Sequence, residues 1–251
     1  MLIVKHNKEF LFISGCDRSG TTALVRLLNN HEKICLGMER YKGLITKDCV
    51  SRLNKDRFKK ENFFNIKDEE TNIQWDYFYD PLKEKFDDCD IVGDKVPRYF
   101  QIYDDIESAF PKAKHIFIIR DPFDVASSWK VRAKDKNDIN WVSTNDVSRS
   151  IQVWNMSLKK AYHFLKAKNG NMLVTRYEDV FSGNQSELER IVSFLGLDES
   201  SNLLESFQSL TQDWDKRKNK KSALNEDEIS LVKNNAEIDF SNHLLNYSLL
   251  K

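Results

Sequence analysis

Gly15-Cys16-Asp17-Arg18-Ser19-Gly20-Thr21-Thr22 follows directly on the apolar run Phe10-Leu11-Phe12-Ile13. A strand, a loop bracketed by glycines and the start of a helix are expected there. Such a loop aims backbone N–H groups at an anion, and the helix N-terminus adds its dipole. The Gly-x4-Gly spacing agrees with an ATP-type P-loop as far as the second glycine, where that motif continues with Lys and then Ser or Thr. Thr21-Thr22 stands there instead, and the cation is Arg18, two residues before Gly20. Arg18, Ser19, Gly20, Thr21 and Thr22 therefore fit a two-anion nucleotide tail better than a Mg²⁺-bound triphosphate.

A second anion clamp is readable at Ile118-Ile119-Arg120-Asp121-Pro122, where a strand gives way to a helix with Pro122 in its first turn. Ser128 and Arg132 follow Arg120 by eight and twelve residues. They lie four apart and share a helix face. Arg120 brings fork-like donors suited to a phosphate. The bland alternative is that Arg120 pairs with Asp121 and Ser128 is ordinary surface. A nucleotide with a two-anion 5′ tail and a separate 3′-phosphate satisfies both clamps, and that describes 3′-phosphoadenosine 5′-phosphosulfate (PAPS).

The elements that must position these residues can be sketched from periodicity. Phe10 to Ser14, Asp90 to Gly93, His115 to Arg120 and Met172 to Tyr177 read as buried parallel strands. Between them run helical stripes: Ala23-Leu24-Leu27-Leu28; Tyr99 to Phe110, stopped by Pro111; Val147 to Leu165; and Leu188 to Leu195, ending at Gly196 as a C-cap. Alternation of this kind predicts an α/β fold, a doubly wound and mostly parallel central sheet with helices on both faces. Ligands in such sheets bind beyond the carboxyl ends of the strands. Arg18, Lys95, Arg120 and Tyr177 all fall at those ends.

The 251 residues fit a single domain, 1–251. Within it, residues 45–90 mix charge with Phe63, Phe64, Trp75, Tyr77, Phe78 and Tyr79 and read as an insertion on the acceptor side. Lys plus Arg and Asp plus Glu both number 39. A balanced charge argues against nucleic-acid binding driven by bulk electrostatics. The four cysteines form no C-x-x-C pair, so free thiols in a reducing cytosol are expected. No apolar run approaches the ~18 residues of a membrane span, and Lys5 and His6 interrupt any signal-peptide core. These features predict a cytoplasmic protein. Its Lys-, Asn- and Ile-rich composition looks bacterial. The scattered histidines and carboxylates imply no metal site.

Taken together, the motifs resemble the PAPS-dependent sulfotransferase superfamily over most of the chain. Cys16 to Thr22 is similar to its 5′-phosphosulfate loop, and Arg120 through Ser128 to its 3′-phosphate motif. Thr175-Arg176-Tyr177-Glu178-Asp179-Val180 with Phe194-Leu195-Gly196-Leu197 is similar to its "RYEDL…FLGL" stretch. The pattern is nearest the glutamate-base branch, which holds tyrosylprotein sulfotransferases and a bacterial family-3 type. There Leu36-Gly37-Met38-Glu39-Arg40 resembles a "GEETR" segment, which implies Glu39 as the base that takes the acceptor's proton. Gly93-Asp94-Lys95-Val96-Pro97 resembles an "NKDP" segment, which implies Lys95 as the cation on the leaving oxygen, with Arg18 sharing that role. The alternatives are a Glu39 paired with Arg40 or Arg18 and a Lys95–Asp94 surface pair. The family position of Tyr177 implies nucleotide contact. The basic run Lys216-Arg217-Lys218-Asn219-Lys220-Lys221, within residues 214–224, is similar to a late loop covering the nucleotide, with Lys220 or Lys221 reaching it; the glycine common in that loop is missing.

The resemblance implies transfer of a sulfuryl group from PAPS to a hydroxyl acceptor by in-line attack, leaving adenosine 3′,5′-bisphosphate and needing no metal. A glycan or glycolipid acceptor is the first expectation, ahead of peptide tyrosine or a small metabolite. Two other classes compete: a P-loop kinase with a degenerate loop, and a non-catalytic nucleotide-binding module.

Overall fold

β1 (Glu9–Gly15) is buried on both sides, with Leu11 and Ile13 entering one apolar cluster and Phe12 another. That two-sided burial is why its sequence runs apolar without alternation. The computed structural model describes residues 8–46, 50–71, 76–138, 141, 142, 144, 146–168, 171–212, 214 and 222–250. After β1 come α1 (Thr21–Leu28), β2 (Ile34–Met38), α2 (Lys60–Phe63), α3 (Asp76–Lys85), β3 (Ile91–Lys95), α4 (Tyr103–Ala109) and β4 (Lys114–Ile119). They are followed by α5 (Pro122–Ala133), α6 (Val147–Lys168), β5 (Met172–Arg176), α7 (Tyr177–Phe181), α8 (Gln185–Leu195), α9 (Ser201–Gln212), α10 (Glu226–Asn235) and α11 (Ile238–Leu249).

The five strands form one parallel sheet in the order β2-β3-β1-β4-β5. One face packs on α1, α7, α8 and α9, the other on α3, α4, α5, α6 and α11. After β1 the chain turns toward β2, and after β4 it turns toward β5. The crevice between the carboxyl ends of β1 and β4 is the point where such folds bind ligands.

Two elements depart from the sequence expectation. The strand β2 was not anticipated: Ile34-Cys35-Leu36-Gly37-Met38 is short and carries a glycine. The stripe from Tyr99 to Phe110 is not one helix, because a 3₁₀ turn over Pro97–Gln101 precedes α4. The Gly196 cap does form, with φ of 73°.

Residues 45–90 hold much of their aromatic content inside. Phe58, Phe63, Tyr79 and Phe86 are buried with Tyr41 and Phe110, and their rings meet edge-on or tilted. Phe64 and Phe78 are half-buried, Tyr77 is exposed, and Trp75 lies outside the described residues. Arg40 ties the segment to β2. Its guanidinium donates to the carbonyls of Phe63 at 2.9 Å, Asn62 at 3.1 Å and Asn65 at 2.9 Å, and pairs with buried Glu70 at 2.5 Å. Arg57 closes the same carboxylate from the other side. Cys16, Cys35 and Cys89 are free and buried, and Cys49 lies outside the described residues. Among the described residues no helix is long and apolar enough to cross a membrane.

If Phe63 is a keystone of this packing, Phe63→Ala should destabilise the protein by about 3–5 kcal/mol, the range for truncating a buried aromatic. A urea titration reads the loss directly. An unchanged midpoint would mean that the segment is not packed as described.

Candidate active site

The loop from Cys16 to Gly20 leaves β1 and turns sharply into α1. Ser19 N–H donates to Cys16 O at 3.0 Å. Gly20 sits at the helix N-cap with φ of 97°, and a Cβ there would lie 2.2 Å from the ring of Tyr177. Glycine is thus required twice, by the backbone angle and by the tyrosine packed under the loop. Two indoles hold the backbone from the other side. Trp129 Nε1 donates to Asp17 O at 2.8 Å and Trp154 Nε1 to Arg120 O at 3.0 Å.

Arg18 has φ of 74°, in the left-handed region that side chains avoid. Its Nε donates to Ser128 Oγ at 2.9 Å, so the two clamps read from sequence meet. Arg120 Nη1 donates to Arg18 O at 3.3 Å and Nη2 to Asp124 at 3.1 Å, while its guanidinium lies 4.5 Å over the Tyr177 ring. Burial, then the neighbouring charges of Arg132 and Arg120, push the Arg18 guanidinium below its ordinary value. Mutual repulsion of this kind is relieved by an anion. Two buried polar atoms here have no protein partner: Ser19 Oγ and Arg120 Nε. An unmatched donor at a desolvated position is costly in isolation and fits a site awaiting a ligand.

Arg132 behaves differently. Its guanidinium pairs with Asp138 and lies 4.5 Å over the Trp141 ring. It contributes charge to the Arg18 neighbourhood, while its Nε is committed to Asp138. Lys220 and Lys221 lie outside the described residues. On one side of that run Trp214 lies 6.1 Å, ring to ring, from Tyr177; on the other, Ala223 N–H donates to Ser127 Oγ at 2.9 Å.

On the β3 side, Lys95 has no solvent exposure and its ammonium bridges two elements. Nζ donates to Glu39 Oε1 at 2.9 Å and to Thr22 Oγ1, on the second residue of α1, at 3.1 Å. The Lys95–Asp94 surface pair is therefore ruled out by burial, and Glu39 pairs with neither Arg40 nor Arg18. Lys42 Nζ takes the other Glu39 oxygen at 3.0 Å. Burial works to raise the Glu39 carboxyl, yet Lys95 and Lys42 outweigh it and hold it below the usual carboxylate range. Burial drives the Lys95 ammonium down, against Glu39. Glu39 has φ of 54°, so both residues assigned to chemistry beside Lys95 sit in strained backbone.

Residues 11–201 match the Sulfotransferase family, which spans more than half of the chain. The chain belongs to the sulfotransferase family. The fold is similar to the sulfotransferase domain from the curacin biosynthetic pathway, at TM-score 0.57 and 20% identity, covering 91% of this chain and 98% of that one. It is similar to the sulfotransferase domain of the Synechococcus PCC 7002 olefin synthase at TM-score 0.53 and 20% identity, covering 91% and 94%. A sulfotransferase from Mycobacterium tuberculosis H37Rv aligns at TM-score 0.51 and 15% identity, covering 80% and 71%. No curated protein matches the sequence.

Sequence reasoning missed several residues that the structure brings to this candidate site. Lys42 reads as an ordinary surface lysine, and Asp94 as a mere neighbour of Lys95. The indoles of Trp129 and Trp154 read as helix core. Arg98 pairs through Nε with Asp17 of the loop at 2.8 Å. Polar residues within one position of a strand end were the available signal for Asp94.

A carboxylate whose folded pKa is depressed stabilises the native state above its unfolded pKa, about 4.3. That contribution is lost as pH falls through the folded value. Wild type should therefore exceed Glu39→Gln in urea midpoint at pH 7, with the gap closing as pH falls from about 5 to 3. A gap that is constant over that range would mean that Glu39 is not held by its two lysines.

Proposed function

We propose that this sulfotransferase takes its sulfuryl group from PAPS and delivers it to a hydroxyl acceptor, with Glu39 as general base and Lys95 as the cation on the leaving group. The observation that carries the reading is the bridging ammonium. Lys95 touches both the carboxylate that would accept a proton and the first turn of the helix behind the anion loop.

The residues fit the nucleotide. Arg18, Ser19, Gly20, Thr21 and Thr22 would hold the 5′ tail, where α1 presents its N-terminus. Arg120 and Ser128 would hold the 3′-phosphate, with the free Arg120 Nε as an unused donor. Tyr177 would support both, since its ring packs against Gly20 and lies under the Arg120 guanidinium. When bound, PAPS supplies an electrophilic sulfur and a bisphosphate leaving group. Glu39, ionised at neutral pH, takes the acceptor's proton as its oxygen attacks. Lys95 and Arg18 offset the charge that builds on the departing oxygen. Their hydrogen bonds to Thr22 and Ser128 fix them before reaction, so little reorganisation is needed.

The proposed acceptor is defined by its hydroxyl group. Phe63 and Tyr79, which could have stacked on sugar rings, are in the core. They give a glycan or glycolipid no support over a tyrosyl peptide or a metabolite. A kinase would need a cation after Gly20, where Thr21 stands. A non-catalytic module would have no use for a buried Glu39–Lys95 pair.

Adenosine 3′,5′-bisphosphate should raise the melting temperature without added metal, by mass action on the native state, and ATP should do so much less. Equal shifts, or a requirement for Mg²⁺, would sink the PAPS assignment. Arg120→Ala should weaken bisphosphate binding by about 2–4 kcal/mol and scarcely affect an analogue lacking the 3′-phosphate. In an acceptor screen with labelled PAPS, Glu39→Gln should lose roughly 10²–10⁴ in turnover while still binding nucleotide.

A further inference from the structure

Alternation along β3 sends its last two side chains to opposite faces of the sheet. Lys95 points toward α1 and Glu39. Asp94 goes the other way, beside Tyr41 and Tyr99, and is fully buried. Its carboxylate accepts four hydrogen bonds. Oδ1 accepts from the backbone N–H of Lys95 at 2.8 Å and of Arg40 at 3.0 Å. Oδ2 accepts from the backbone N–H of Tyr41 at 2.9 Å and from the Tyr99 hydroxyl at 2.8 Å. Three of these partners are N–H groups that can only donate, so an ionised carboxylate is the form that satisfies them. Burial pushes the Asp94 carboxyl up, and its hydrogen bonds from Tyr99, Tyr41 and Arg40 oppose that.

Arg40 and Tyr41 are the two residues after Glu39, whose backbone is in the left-handed region. The Glu39 N–H itself donates to Lys95 O at 2.7 Å. The dipeptide Asp94-Lys95 thus grips the turn at three backbone positions on one side and at the Glu39 carboxylate on the other. Relaxation of Glu39 to an ordinary backbone angle would redirect its side chain away from Lys95. A buried acceptor that captures the next two N–H groups prevents this.

We propose that Asp94 is the positioning residue of the catalytic pair: its carboxylate, through Arg40 N–H and Tyr41 N–H, holds the Glu39 turn in the strained conformation that delivers the base to Lys95. The proposal rests on the reading of Glu39 as the base, and it adds a residue that never meets substrate.

The test is Asp94→Asn, which keeps the shape and turns one acceptor oxygen into a donor facing donors. The groups facing Glu39 are Lys95 from β3 and Lys42 from the following turn. Glutamate side chains labelled with ¹³C at the carboxyl, with Glu39→Gln identifying the resonance, report its titration without any acceptor. Loss of the Asp94 negative charge alone would lower the Glu39 pKa further. Displacement of its carboxylate from the two lysines would raise it, by about 0.5–1 in pKa. A rise is the expected result, with affinity for adenosine 3′,5′-bisphosphate changed by less than about twofold, since Asp94 has no part in the anion loop. Tyr99→Phe removes one of the four donors without changing charge and should raise the Glu39 pKa by less. If Asp94→Asn does not fold, Tyr99→Phe decides. A Glu39 titration that falls or stays in place in the variants that fold overturns the proposal. The base reading fails separately, if Glu39→Gln retains full turnover while the titration still responds to Asp94→Asn.

Discussion

A lysine with no solvent exposure ends the third strand, and burying an ammonium costs several kcal/mol unless it is paired. Lys95 can therefore exist only where Glu39 and Thr22 meet it. This fixes the distance between the edge strand β2, which delivers Glu39, and α1, which carries Thr22 behind the anion loop. The order β2-β3-β1 makes the arrangement possible, because it places the lysine strand between the strand that leads to Glu39 and the strand that leads to the loop. Lys42 then balances the second oxygen of Glu39, and the chain of alternating charge runs from the buried Lys95 to the half-exposed Lys42.

On the other side of β1 the logic is reversed. Arg18, Arg120 and Arg132 gather there, and Asp124 and Asp138 pair with two of them. On one side of the crevice a carboxylate lies between two lysines; on the other, Arg132 and Arg120 lie close enough to Arg18 to push its guanidinium down. Division of this kind suits a reaction in which a polyanion is held beside a base. In the proposed reaction the carboxylate must not repel the nucleotide, and the two lysines around it would offset that repulsion.

Much of this was legible in the sequence, for identifiable reasons. The anion loop and the Arg120-to-Ser128 spacing are local: strand, loop and helix follow each other within a few residues, so type and spacing carry the geometry. Glu39 and Lys95 could be named by their segments, yet their contact spans 56 residues and needs the sheet order to be known. The strand β2 escaped because Leu36-Gly37-Met38 entered the sequence reading only as the segment that leads to Glu39. Residues 45–90 were misleading in a different way. An aromatic-rich segment can face a ligand or the core, and composition does not distinguish them; the buried Glu70, invisible as such in sequence, is what folds the segment inward onto Arg40 and Arg57.

The innermost strand of the sheet is also its first in chain order. β1 pairs on one side with β3, beginning at Glu9 with Ile91, and on the other with β4, beginning at Leu11 with Lys114. Neither neighbour is local, so the relative contact order is high and loop closure must precede any gain from pairing. At a ribosomal rate of about 5–20 residues per second, β1 would emerge roughly 5–20 s before β4 is available to cover it. Until β3 is made, Phe10-Leu11-Phe12-Ile13 is an unpaired apolar segment of a nascent chain, of the kind that chaperones bind, and one of its edges stays open until β4 follows. A sheet built around this strand thus ties β1 to partners that are made much later.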